Sequence, residues 1–145
     1  MAATTLTASL RTGADAFAAI ALAAVVCDGQ LDPLEARSLR QQLEYRHPFC
    51  QFSDAAMAEL LDRLLAMLRS EGCEALVAQA VPLLLPEQRE TMLAVAAMLT
   101  QADHVETGAE RQFLTSLGEQ LGIAPERRAV ISEVIGLLNS DSLAG

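Results

Sequence analysis

Apolar residues return at helical spacing along almost the whole chain, and clusters of Gly, Pro, Asp, Ser and Thr separate the runs. The clearest run is Met57, Leu60, Leu61, Leu64, Leu65 and Leu68, which follows i, i+3, i+4, i+7 and predicts a helix capped by Ser53 or Asp54. Before it, a first helix is expected from about Thr5 to Cys27, with Gly13 as a break, Phe17, Ile20, Ala21, Ala24 and Val25 on one face, and Gly29 as the stop. A second helix opens with Asp32 as cap, Pro33 at the first helical position and Glu35 at the third. It runs through Leu39 and Leu43 toward Arg46 and is closed by Pro48. Phe49 and Phe52 fall in the loop that follows.

The second part of the chain reads the same way. A short, nearly all-apolar helix from about Cys73 to Leu84, bent or ended by Pro82, is expected in the middle of the core. Pro86 opens a fifth helix. Thr107 caps a sixth, with Glu110 completing the capping box and Gly122 ending it. Pro125 starts a seventh, whose stripe of Val130, Ile131, Val134, Ile135 and Leu138 is expected to be buried. An offset of 75 places Ile20 on Val95, Ala21 on Ala96, Asp28 on Asp103, Asp32 on Thr107, Glu35 on Glu110 and Leu39 on Leu114. An offset of 71 places Leu60 on Ile131 and Leu64 on Ile135. The expectation is an all-α bundle of about seven helices, two three-helix halves around a central helix.

Composition supports this reading. The 52% hydrophobic content is mostly Ala and Leu, with one Tyr, four Phe and no Trp, a palette of helix formers. At 145 residues the chain makes a single domain with a real core, placed at about residues 14–138. The net charge of −9 and the scattering of the ten arginines argue against nucleic acid and anionic membranes as partners, while cations and basic protein surfaces suit it. A protein partner is expected, and homodimerisation is left open. Cys27, Cys50 and Cys73 are odd in number and widely spaced, so neither a disulfide framework nor a zinc knuckle is indicated, and a reducing, cytoplasmic setting is expected. The run 16–26 before Cys27 has the outline of a lipoprotein signal. Asp15 abuts it, however, and Val26 is branched where cleavage needs a small residue, so export is set aside. No apolar stretch reaches the roughly 20 residues that span a bilayer.

Negative charge concentrates between helices. The stretches 28–35 and 103–110 each begin with Asp and end with Glu, and together hold Asp28, Asp32, Glu35, Asp103, Glu106 and Glu110 without a basic residue. Capping alone explains Asp32, Glu35, Thr107 and Glu110. Asp28 and Asp103 follow helix C-termini, where a carboxylate faces the negative pole, so either amides of the turn or a bound cation must offset the cost. A cation would draw Asp28, Asp32 and Glu35 together, with Asp103, Glu106 and Glu110 as a second cluster. Ca²⁺ takes about six to eight oxygens, so three carboxylates make a weak site or one shared between the turns.

The pattern Asp28, Gly29, Leu31, Glu35 after a small-residue apolar helix, echoed in the second half, resembles the TerB-like domains of tellurite-resistance proteins. The resemblance spans about Phe17 to Leu138. It implies a compact seven-helix, cytoplasmic domain associated with tellurite and stress resistance, with acidic turns proposed to bind metal and no established catalysis. The second turn departs from the pattern: His104 replaces the glycine and Val105 comes one position early.

Enzyme readings find little to build on. Glu44 and His47 form one Glu-x-x-His, whereas di-iron bundles need two together with two further Glu. No Gly-x-Ser-x-Gly elbow or phosphate-cradling glycine loop is present. A metal-dependent enzyme remains the remote alternative and requires His47 or His104 to share a pocket with several carboxylates. The nearer alternative is a helical adaptor whose acidic residues only cap.

Overall fold

The computed structural model describes residues 10–26, 31–100 and 108–140. Among them are seven α-helices and no strand: α1 (Gly13–Val25), α2 (Pro33–Glu44), α3 (Asp54–Glu71), α4 (Cys73–Ala80), α5 (Pro86–Thr100), α6 (Gly108–Gln120) and α7 (Pro125–Leu138), with 3-10 turns at Phe49–Gln51 and Val81–Leu83.

Local chemistry sets most of the boundaries. Asp32 accepts the Glu35 amide at 2.8 Å and Glu35 accepts the Asp32 amide at 3.2 Å, a closed capping box ahead of α2. Ser53 caps α3 by accepting the Ala56 amide. Gly122, at φ +73°, ends α6: its amide donates to the Glu119 carbonyl and that of Ile123 to Gly118, a paired arrangement that only a residue at ease in the left-handed region closes without strain. Pro82 turns the end of α4 into 3-10 geometry, as expected of a residue that cannot donate to the helix ladder.

The first helix begins later than its apolar pattern suggests. Among the described residues, 10–12 are not helical and α1 begins at Gly13. Thr12 supplies the reason, since its hydroxyl accepts the Asp15 amide at 3.0 Å, while Asp15 accepts the Arg11 amide at 3.1 Å. Residues 1–9, and Cys27 and Gly29 at the other end, lie outside the described residues.

α1 is also the central helix, a place the sequence pattern assigned to α4. Residues 16–24 of α1 are all buried, with no exposed side. α2, α3, α4 and α5 all pack on it. Its alanines let four neighbours approach closely, while Ile20 and Leu22, both fully buried, fill the spaces between them. Each such side chain contributes about 1.5–3 kcal/mol by leaving water. α4 buries only one face, through Leu76, Val77 and Ala80, and leaves Glu74, Ala78 and Gln79 in solvent.

The element pairings follow the internal repeat. α1 carries α2 and α3, α5 carries α6 and α7, and α1 and α5 pack on one another. The expected stripe of α7 is corrected, however. Ile135 is buried and Ile131 half-buried, but Val130, Val134 and Leu138 are exposed. Arg128 explains part of this: it lies across Gly118 of α6, where an added Cβ would sit 2.4 Å from its Cδ, and donates to the Thr115 carbonyl at 3.3 Å. A polar spacer thus stands between α6 and α7 where an apolar side chain would have drawn them together.

Candidate functional site

α1 and α5 begin side by side. A Cβ built on Gly13 would lie 3.4 Å from the Leu83 carbonyl oxygen and 3.6 Å from Gln88 Oε1. An open cavity of about 200 Å³ is walled jointly by Gly13, Ala14 and Phe17 of α1 and by Glu87, Gln88 and Thr91 of α5. The two helices pack on one another, and from adjoining starts this requires that they run in broadly the same direction. The C-terminal end of α1, at Val25, and that of α5, at Thr100, therefore share one end of the bundle. From there the chain passes into the two acidic stretches.

Of the six acidic candidates, Asp32, Glu35 and Glu110 are described, whereas Asp28, Asp103 and Glu106 lie outside the described residues, as do His104 and the cap residue Thr107. Asp32 is exposed and Glu35 half-buried, and the capping box joins them. Glu110 is half-buried in the first turn of α6, where its charge complements the positive end of the helix. Leu31, just ahead of the box, packs against the core and so ties the acidic stretch to the interior. Among the described residues no group of three or more His, Cys, Asp or Glu is arranged to hold a metal ion.

The Glu-x-x-His pair does not form a site. Glu44 is the last residue of α2 and lies 3.4 Å from Arg40, whereas His47 stands beyond the helix, exposed, ahead of a cis peptide to Pro48. The helix stops before it can present both side chains on one face, consistent with the bias that a proline places on the residue before it. Cys50 is exposed, and Cys73 is half-buried with its thiol 3.9 Å from the Ala23 carbonyl.

Three polar arrangements were missed by sequence reasoning. Asp15, with a side chain only 14% exposed, accepts from Arg63 Nη2 at 3.2 Å and so links the start of α1 to α3. Its place after Thr12, at the third position of a helix, was the available signal. Arg89 of α5 donates to the carbonyls of Leu121, at 3.2 Å, and Val81, at 3.4 Å, tying the ends of α6 and α4 to α5. Nearby, Glu90 takes Arg127 of α7 at 2.8 Å. That hydrogen bond first, and the charge of Glu90 second, raise the guanidinium pKa above its ordinary value. All three hold helices together, and none builds a reactive centre. Searches against protein-family models, curated proteins and solved structures give no match to this chain.

Proposed function

We propose that the chain is a non-enzymatic, TerB-like helical domain acting in cytoplasmic tellurite or stress resistance, and that its acidic interhelical stretches bind a divalent cation of the Ca²⁺ or Mg²⁺ class. The observation that carries this reading is the parallel course of α1 and α5 from adjoining starts, which brings the exits toward both acidic stretches to one end of the bundle. Hard cations need more oxygens than either stretch supplies, and a site drawing on both meets that need. Asp28, Asp32 and Glu35 supply one half of the ligands and Asp103, Glu106 and Glu110 the other.

The competing reading, an adaptor whose acidic residues only cap, is favoured at one point: Asp32 and Glu35 already serve the backbone amides of α2. Calorimetric titration of the metal-free protein with Ca²⁺, Mg²⁺, Mn²⁺ and Zn²⁺ separates the two. A shared site binds one ion, and either Asp28→Ala with Glu35→Ala or Asp103→Ala with Glu110→Ala abolishes the heat. Absence of heat at millimolar metal, or unchanged binding by both double variants, overturns the cation reading and leaves the caps as structural.

A further inference from the structure

α7 carries apolar side chains over more of its circumference than the core uses. Ile131 and Ile135 face inward, while Val130, Val134, Leu137 and Leu138 are 46%, 47%, 69% and 63% exposed. Their spacing of i, i+4, i+7, i+8 places them along one side of the helix as a continuous stripe. Single exposed apolar residues are ordinary, but a contiguous stripe marks an interaction surface.

Charge at the rim identifies the occupant. Glu126 and Glu133, seven residues apart, lie on one edge of the stripe; both are exposed, and neither is in an ion pair among the described residues. On the other edge Arg127 is already taken by Glu90. The uncompensated charge beside the stripe is therefore negative. A second copy in antiparallel two-fold pairing about Val134 would set Glu133 against its own counterpart, which opposes self-association. We propose that this face of α7 docks an amphipathic helix from a partner protein, one whose apolar stripe is flanked by Lys or Arg. From Val130 to Leu138 the stripe is about 12 Å long at 1.5 Å per residue, enough for two to three turns of the partner. The inference does not rest on the cation reading, because α7 shares no residue with the acidic stretches.

The test uses a fluorescein-labelled synthetic peptide of about 18 residues, long enough to hold a helix, with Leu on one face and Lys on the other. Binding is followed by anisotropy at physiological salt. Wild type is expected to bind with one-to-one stoichiometry. Val134→Asp with Leu137→Asp should weaken binding by about tenfold or more despite adding two negative charges, whereas diffuse attraction to an acidic protein would grow stronger. Glu126→Gln with Glu133→Gln should weaken it several-fold and flatten its salt dependence. Circular dichroism confirms that each variant remains folded. No binding by wild type, or equal or tighter binding by the Asp double variant, overturns the proposal. So does a wild-type dimer in sedimentation that the Asp variant converts to monomer, which would assign the face to a second copy. Capture by anionic phosphatidylserine vesicles that the Asp variant abolishes would assign it to lipid and likewise overturn it.

Discussion

The two halves of the bundle share a plan but not a degree of closure. α3 packs on α1, and α7 packs on α5 in the corresponding way. On α3 the inward positions are Met57, Leu60, Leu61, Leu64 and Leu68, every one buried. At the matching offset of 71, α7 has Arg128, Ile131, Ser132, Ile135 and Asn139, of which only Ile135 is buried. α4 also covers part of the first half, packing on both α1 and α3. The same frame thus serves as a sealed core in one half and as a lightly held, partly exposed helix in the other. Polar substitution at three inward positions is enough to make the difference.

The largest effect expected from this contrast is in the core. Leu64→Ala removes a fully buried side chain from beneath α1, where neighbours on all sides prevent collapse of the cavity, and should cost about 3–4 kcal/mol. Ile135→Ala, the matching change, removes a side chain one turn from Ile131, which lines an open groove, and should cost about 2 kcal/mol, at the low end for such truncations. Urea unfolding of the two variants compares them directly. Equal costs would mean that α7 is held as firmly as α3.

Next in size are the ion pairs that brace each half. Asp15 and Glu90 are equivalent at the offset of 75, and each takes an arginine from the third helix of its own half: Arg63 on α3 and Arg127 on α7. Their surroundings differ. Asp15 is largely shielded and also accepts the Arg11 amide, so Asp15→Ala loses a cap and a partly desolvated pair together and should cost about 1–2 kcal/mol. Glu90 and Arg127 are about half exposed, and surface pairs of that kind contribute little. Glu90→Ala should leave the thermal midpoint nearly unchanged. A larger loss from Glu90→Ala than from Asp15→Ala would invert the ranking of the halves.

These contrasts also define what the sequence could convey. Helix starts and stops were legible because they are written in local chemistry: the Asp32, Pro33, Glu35 box, Pro86, Pro125, and Gly122 at a positive φ. The centrality of α1 was not, because alanine is compatible with any degree of burial and gives periodicity no contrast. The informative signal was the absence of any polar side chain from residue 16 to 26. α7 misled for the opposite reason. Its apolar residues occupy two adjacent faces, and periodicity alone cannot say which one meets the core. The acidic stretches stood out as the candidate site by charge alone, yet of their six acids only Asp32, Glu35 and Glu110 fall among the described residues, and capping accounts for Asp32 and Glu35.

The comparison can also be tested by repair. Ser132 occupies the place that Leu61 holds on α3, and it borders a groove of about 490 Å³ between α5, α6 and α7, together with Leu93, Leu114 and Ile131. If polar substitution at inward positions is what loosens α7, Ser132→Leu should draw apolar surface into the groove and stabilise the protein. Full burial of a leucine is worth about 1.5–3 kcal/mol, and an open groove should return roughly 1 kcal/mol of it. That corresponds to a rise of about 2–6 °C in the melting temperature of a domain this size. Hydrogen exchange should slow in α7 and remain unchanged in α3. A neutral or destabilising result would place the cause of the loose packing in Arg128, whose side chain lies over Gly118 and sets the separation of α6 and α7 whatever fills the groove beside it.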